Sequence, residues 1–396
     1  MILTDGFPPH DRGGAERIAY YHALALRDRG DSVAVFTSHP SEGSIGPSVA
    51  DEDGIQVYRA FPLNPVARHS KPTRLDSLVT MGSSLINPFM SGALQRAVDD
   101  FRPELLHAHY VVRISHAAFA RVAPGLPRVL TFHGYQYECP KGGLYRKRRD
   151  QICRDKPLPC RIYRNAFTRE LAKVDRIIAI SHFIQDRLIE AGHPAEKVRY
   201  LPNGVPGLES RTTGPASENR GFLFVGRLNR PKGVVEMIEA FRLLEDPNTE
   251  LVIVGDGEDR TRAEAAARGD DRIRFTGWLT SEQVAEHYRA CRAVIVPSVW
   301  HEVMNTVICE AHSWSRPVIG TQVGGNSDLI IDGKNGYLCE PGDAQELRLR
   351  MEKILADDDL TDRLASDGFA HVTQYGMGRH VDSIVALYDE LLADKT

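Results

Sequence analysis

The chain has 396 residues, a formal net charge of −4, 42% hydrophobic and 26% charged residues. That length suits two domains rather than one ordinary core. The acidic balance argues against a general nucleic-acid binder, which needs a basic excess to neutralise phosphates, and no apolar run approaches the roughly 20 residues that span a bilayer. Six cysteines are sparse for this length and do not read as a secreted disulfide framework. With no basic flank and apolar stretch at the start, a soluble protein of the reducing cytoplasm is expected.

Met1–Thr4 forms only a stub of a first strand, so either that strand is short or the true start lies upstream. A helical pattern follows at Glu16–Arg29, closed by Gly30. Short continuous apolar runs then predict strands at Val33–Ser38, Ile55–Ala60, Leu105–Ala108, Arg128–Phe132, Arg176–Ile180 and near Val198–Leu201. Such strands, alternating with helices, imply a parallel sheet covered on both faces. Pro202–Gly207 and the aperiodic Arg211–Arg220 mark a boundary. Beyond it the plan repeats, with strands at Phe222–Val225, Leu251–Val254, Ile273–Thr276, Ala293–Val296 and Pro317–Gly320. Helices are expected at Val234–Leu244, Asp259–Ala267, Ser281–Cys291 and Thr306–Trp314. Two successive βα arrays predict an α/β chain of two doubly wound, Rossmann-like domains, residues 1–205 and 206–375. A last helix, about Arg379–Leu392, follows a break at Tyr375–Gly378, and residues 376–396 are expected to pack back on the first domain.

Open α/β sheets bind ligands beyond the carboxyl ends of their strands, so the loops there matter most. After the first strand comes DGFPPHDRGGAER, with Gly13 and Gly14 directly before a helix. Glycines allow close approach of a ligand to backbone, and a helix N-terminus offers free N–H groups to an anion; the plainer reading is a tight turn. After Phe222–Val225 comes GRLNRPKG, which crowds Arg227, Arg230 and Lys232 into one loop. Guanidinium and ammonium groups there suit a diphosphate, the alternative being a solvated basic loop. HEVMNTVICEA places Glu302 in the loop after Ala293–Val296 and Glu310 within the next helix, with Asn305 as its N-cap. Buried carboxylates need donors, and sugar or ribose hydroxyls supply them; otherwise these are one capping acid and one surface acid.

In order and spacing, these stretches resemble the retaining glycosyltransferases of family GT4, and the resemblance spans nearly the whole chain. FPPHDRGGAER is similar to the donor-side glycine loop, and FVGRLNRPKG to the diphosphate-binding strand and loop. LVIVGDGED, RFTGWLTSEQV, AVIVPS and PVIGTQVGG fall in the family's order, and Glu302 and Glu310 match its E-x7-E motif. The resemblance implies the GT-B fold, two Rossmann-like domains facing across a cleft. It also implies a nucleotide-sugar donor, with UDP-sugars preferred and GDP-mannose next. Gly13 and Gly14 would lie on the donor side, Arg227 and Lys232 at the diphosphate, and Glu310 at the ribose. Glu302 and the amides of Val303, Met304, Asn305 and Thr306 would face the sugar. The loop Gly277–Leu279, with Trp278 and Leu279, would meet the base. His133, in TFHGY, matches a histidine near the reaction centre. The chain departs from the family pattern at Val303, Met304 and Asn305, where Gly-Phe-Gly is frequent, and at Asp328, where Glu is usual.

The implied catalytic set is His133, Arg227, Lys232 and Glu302. The implied route is front-side attack by the acceptor hydroxyl, whose proton passes to the departing phosphate. No acidic DxD motif is well placed, so no metal or other cofactor is expected. The acceptor, a glycan, a lipid-linked sugar or a small molecule, is expected on the first domain, with His109 and Tyr135 as candidate contacts. Residues 133–160 also carry the basic run Arg146–Arg149 and Cys139, Cys153 and Cys160, which would suit an anionic acceptor or a local zinc site. Arg68, Lys71 and Arg74, near Leu85–Met90, suggest a peripheral contact with an anionic membrane or a solvated loop. Rival readings are another GT-B enzyme, such as a nucleotide-sugar epimerase or a phosphorylase, and a non-catalytic partner in a glycan assembly complex.

Overall fold

The structure is a computed structural model that describes all residues except 11–12, 40–47, 63–73, 141–142, 147–150, 154–156, 209–213 and 395–396. Its apolar runs pair into two separate sheets. The strands of the first half are β1 (Ile2–Thr4), β2 (Ala34–Ser38), β3 (Ser48–Glu52), β4 (Ile55–Ala60), β5 (Leu106–Tyr110), β6 (Arg128–Phe132), β7 (Tyr145–Arg146), β8 (Gln151–Ile152), β9 (Arg176–Ala179) and β10 (Val198–Tyr200). Eight of them form one sheet in the order β10-β9-β6-β5-β1-β2-β4-β3, while β7 and β8 make a small hairpin of their own. All neighbours in the large sheet are parallel except β3, which runs antiparallel to β4 at the edge.

The second half contributes β11 (Gly221–Val225), β12 (Leu251–Val254), β13 (Ile273–Gly277), β14 (Cys291–Val296), β15 (Val318–Thr321) and β16 (Gly336–Cys339). They form one parallel sheet in the order β13-β12-β11-β14-β15-β16. β14 is buried throughout, as a strand covered by helices on both faces must be. In both sheets the strand order reverses beside the first strand of its half, between β1 and β5 and between β11 and β14. Loops leaving the carboxyl ends at such a reversal diverge to opposite faces and leave room for a ligand.

The chain divides into two compact units, Met1–Gly204 with Met377–Thr396, and Val205–Gly376. The closing helix Met377–Ala393 belongs to the first. It packs on helix Gly14–Asp28 and buries Val381, Ile384, Leu387 and Leu391. Val381 joins the core cluster of Ile2, Phe7, Ala19 and Val35. The Tyr388 hydroxyl lies 2.5 Å from His107 Nδ1 on β5. In the second unit, Phe222, Phe241, Leu251 and Ile295 centre one apolar cluster, and Val294, Ile308, Cys309 and Val318 centre the other. Among the described residues no helix is long and apolar enough to cross a membrane.

Ile384 is fully buried, and truncation to alanine removes methylene burial and leaves a cavity. Ile384→Ala is expected to cost about 2–5 kcal/mol. In urea unfolding followed by hydrogen exchange, the loss should fall on amides of Met1–Gly204 and the closing helix and spare those of Val205–Gly376.

Candidate active site

In the second unit the loop after β11 carries Lys232 and the loop after β14 carries Glu302. The Lys232 ammonium lies 2.8 Å from Glu302 Oε1. Ser298 Oγ donates to the same oxygen at 2.6 Å. Thr321 Oγ1, at the end of β15, donates to the Ser298 carbonyl. Glu302 is thus oriented by a cation and a hydroxyl from neighbouring strand ends. Arg230 pairs with Glu236. The Arg227 side chain is exposed and bonds no described residue, while its carbonyl accepts from Asn229 N–H at 3.0 Å. Its guanidinium is therefore open to a ligand.

Two glycines hold the loops together. Gly233 has φ +67°, and a Cβ there would lie 1.9 Å from the Pro297 carbonyl oxygen. Gly324 has φ +54°, and its Cβ would lie 1.9 Å from the Glu302 carbonyl oxygen. No side chain fits either place, so the loop after β11 rests on the loop after β14, and that loop rests on the turn after β15. Backbone bonds fasten the same contacts: Val299 N–H donates to Pro231 O at 2.9 Å and Gly325 N–H to Glu302 O at 2.8 Å.

Helix Thr306–Ser313 begins just beyond. Its N-cap is Asn305, whose side chain accepts from Val307 N–H at 3.2 Å. The N–H groups of Val303, Met304, Asn305 and Thr306 bond no described residue, so a row of donors stands beside Glu302. Glu310, one helical face further, accepts from the Tyr288 hydroxyl at 3.0 Å. Trp278 is 72% exposed after β13, while Leu279 is partly buried against the apolar cluster of Val294 and Ile308. Asp328 lies in the short helix Asn326–Leu329 that follows Gly324 and Gly325.

The first unit carries its own group at the β1–β5 reversal. Asp5, directly after β1, is buried and accepts from Arg113 N–H at 2.8 and 2.9 Å and from Ile114 N–H at 3.2 Å. Burial pushes its carboxyl up to about 7, and these N–H groups only partly offset that. Gly13 is the N-cap of helix Gly14–Asp28, in extended backbone, and both glycines are exposed. Nothing crowds Gly14, so the room that glycine leaves is on the solvent side. His133 follows β6 and is half-buried. Its Nε2 lies 2.9 Å from His109 Nδ1, and His109 Nε2 lies 3.0 Å from His22 Nδ1. His22, His107 and His109 bring one ring nitrogen each within 4.8 Å of one another. Burial, reinforced by neighbouring imidazoles, holds all three well below the usual imidazole range. The same burial takes His133 to about 3 and His380 to about 4.

Two expected acceptor contacts are corrected. Tyr135 is 1% exposed, edge-on to Phe183, because the chain turns back on itself with Glu138 and Cys139 N–H donating to Tyr135 O. Its ring is a packing group. His109 is buried on β5 and touches His133 instead of the surface. Tyr137 is buried as well, beside the Glu138–Arg187 ion pair. Cys139, Cys153 and Cys160 are half-buried. Arg68, Lys71 and residues 147–149 lie outside the described residues. Ser298, Tyr288, Asp5 and His22 carry contacts that sequence reading missed. Of these Ser298 and Asp5 had a local signal, their places at the carboxyl ends of AVIVPS and of the first strand.

Two open parallel sheets, each with its polar group at the strand reversal, define a class. Solved structures share it over almost the full length. A sucrose-phosphate synthase from Thermosynechococcus elongatus superposes with a TM-score of 0.77 at 20% identity, covering 99% of this chain and 98% of that one. HepE from Anabaena, in complex with UDP and glucose, does so with 0.70 at 21%, covering 98% and 99%. The fold is GT-B. Residues 12–206 match the family described as Glycosyltransferase Family 4, and residues 209–371 match Glycosyl transferases group 1. The chain therefore belongs to the GT4-type glycosyltransferases. The O-antigen chain mannosyltransferase C of Escherichia coli is 26% identical over 98% of this chain and 97% of its own.

The buried imidazoles set a pH dependence. Their folded values lie below the ordinary value of about 6.5, so between about pH 4 and 6.5 the unfolded chain binds more protons and stability falls as pH falls. Asp5 acts oppositely, since its raised value favours the folded form at lower pH. In this unit one raised carboxyl is set against seven lowered imidazoles, His116 and His193 among them, so the imidazoles win. Each proton taken up contributes about 1.4 kcal/mol per pH unit. The urea midpoint of the first unit is expected to drop steeply from pH 6.5 to 4.5, and His380→Leu to make that drop shallower.

Proposed function

We propose that the chain is a retaining, metal-independent hexosyltransferase acting on a nucleotide-sugar donor, a UDP-sugar before GDP-mannose. The acceptor is a hydroxyl of a glycan, glycolipid or small molecule. The observation that carries this reading is the Lys232–Glu302 pair at the β11–β14 reversal, with exposed Arg227 and the open N–H row of Val303–Thr306 beside it. Cations suit a diphosphate, a carboxylate suits sugar hydroxyls, and backbone donors suit the remaining oxygens. UDP is preferred because solved HepE structures hold UDP with glucose and UDP-glucose. GDP-mannose comes next because a full-length relative is named a mannosyltransferase.

In this mechanism the acceptor oxygen bonds the anomeric carbon on the face from which the diphosphate leaves. The bond from that carbon to the phosphate oxygen breaks, and the acceptor proton passes to the leaving phosphate. Arg227 and Lys232 stabilise the charge that develops there. An arriving diphosphate shares the Lys232 ammonium with Glu302, which turns toward sugar hydroxyls. Glu310 accepts from the ribose, Trp278 and Leu279 border the base, and Gly13 and Gly14 leave space at the donor's phosphates. His133 contacts the sugar. Side-chain cations carry the charge that a metal would otherwise balance. The proposed setting is the cytoplasm, with a peripheral membrane contact when the acceptor is lipid-linked.

Thermal shifts with UDP, GDP, ADP and their sugar conjugates, with and without EDTA, test the reading, because a ligand bound by the folded state raises the melting temperature. The expected result is a rise with one base, UDP first, unchanged by EDTA. In Arg227→Ala the rise should vanish, with kcat/KM down about 100-fold. No rise with any nucleotide would overturn the proposal.

A further inference from the structure

We propose that His22 and His109 are positioning residues that hold His133 in the tautomer with its proton on Nδ1, so that His133 meets the bound sugar nucleotide as a hydrogen-bond donor. This rests on the reading of His133 as a donor contact.

Three imidazoles stand in line, His22 Nδ1 to His109 Nε2 at 3.0 Å and His109 Nδ1 to His133 Nε2 at 2.9 Å. A neutral imidazole has one N–H and one lone pair, so a chain of three must point one way throughout. The inner end decides which. His22 is fully buried, on helix Gly14–Asp28, and its Nε2 bonds no described residue. If the chain pointed inward, His22 would carry its proton on Nε2 and bury an N–H without an acceptor. Buried unmet N–H groups are rarer than buried unmet acceptors. Pointed outward, only a lone pair is left at His22 Nε2. His22 Nδ1–H then donates to His109 Nε2, and His109 Nδ1–H donates to His133 Nε2. That leaves the His133 proton on Nδ1, which bonds no described residue.

The surroundings agree. His380 Nδ1 faces the Pro202 carbonyl at 2.8 Å and must donate to it, so its Nε2 is also a lone pair. The His22 and His380 rings stand 5.6 Å apart, edge to face, with no direct bond. His107 is a side branch, held by Thr131 at 2.8 Å and Tyr388 at 2.5 Å. The ring nitrogens of His107 and His109 are thus all engaged by protein groups, although the spacing of His22, His107 and His109 would also admit a transition-metal ion. A consequence for chemistry is that His133 Nε2 is occupied, so this histidine is not the base that removes the acceptor proton.

The test is a long-range proton–nitrogen correlation spectrum of the full chain labelled with 15N histidine, at pH 7.5. The His133 signals are assigned by their loss in His133→Gln. The expected result is a protonated Nδ1 and an unprotonated Nε2. The reverse pattern would overturn the proposal, and it needs no substrate to be seen. In His22→Leu the His133 pattern is expected to shift toward a mixture, and in His22→Asn, whose amide keeps a donor near the Nδ1 position, to return. An unchanged pattern in folded His22→Leu would also overturn it, as would one tightly held transition-metal ion per chain by elemental analysis. The UDP thermal shift, run on the same samples, reports separately on the proposed function.

Discussion

One ammonium–carboxylate contact, Lys232 to Glu302, organises the second unit. Partly buried ion pairs add little net stability, because desolvation offsets most of the attraction. The value of this one is geometric. Each partner enters from a different strand of the reversal, and the loops behind them are locked by carbonyls lying where Gly233 and Gly324 lack side chains. Charge, hydroxyl and backbone donors are therefore in place before any ligand arrives. Donors held in place in this way need little reorganisation to meet a developing charge. Losing either partner would strand the other charge against a low-dielectric wall.

The first unit uses the equivalent reversal differently. Its edge is built from groups kept neutral by burial: imidazoles on β5, on the first helix and after β6, and a carboxyl after β1 whose ionisation is moved toward neutrality. Such groups cost stability and persist where the surroundings over-determine them. The contrast is one of charge: an ion pair stands at the second reversal, and groups held near neutrality stand at the first.

Much of this architecture was legible because fully buried parallel strands write themselves as continuous apolar runs. Ile55–Ala60, Arg128–Phe132 and Leu251–Val254 end where they were expected. β3 was missed because, exposed at a sheet edge, SVADE has no buried face to impose a pattern. The three-residue β1 looked like a stub, yet it pairs on both sides at the middle of its sheet, so length was a poor guide to its importance. Candidate residues were found by their place after strands, whereas their pairings were not. Lys232 and Glu302 are 70 residues apart and His22 and His109 are 87 apart, and no local period records such pairings. Tyr135 failed for a related reason: a loop aromatic reads as surface until the turn that folds it inward is known.

The closing helix ties the last residues of the chain to its first strand, with Tyr388 reaching His107 across 281 positions of sequence. The second unit, in contrast, is one uninterrupted stretch, Val205–Gly376. During synthesis that stretch can complete its core while the first 204 residues still wait for a covering layer, since the helix that covers Ile2 and Val35 leaves the ribosome after it. The second unit therefore matures ahead of the unit made before it. A chain that stops before Met377 leaves Ile2 and Val35 without that covering layer and keeps the whole of Val205–Gly376.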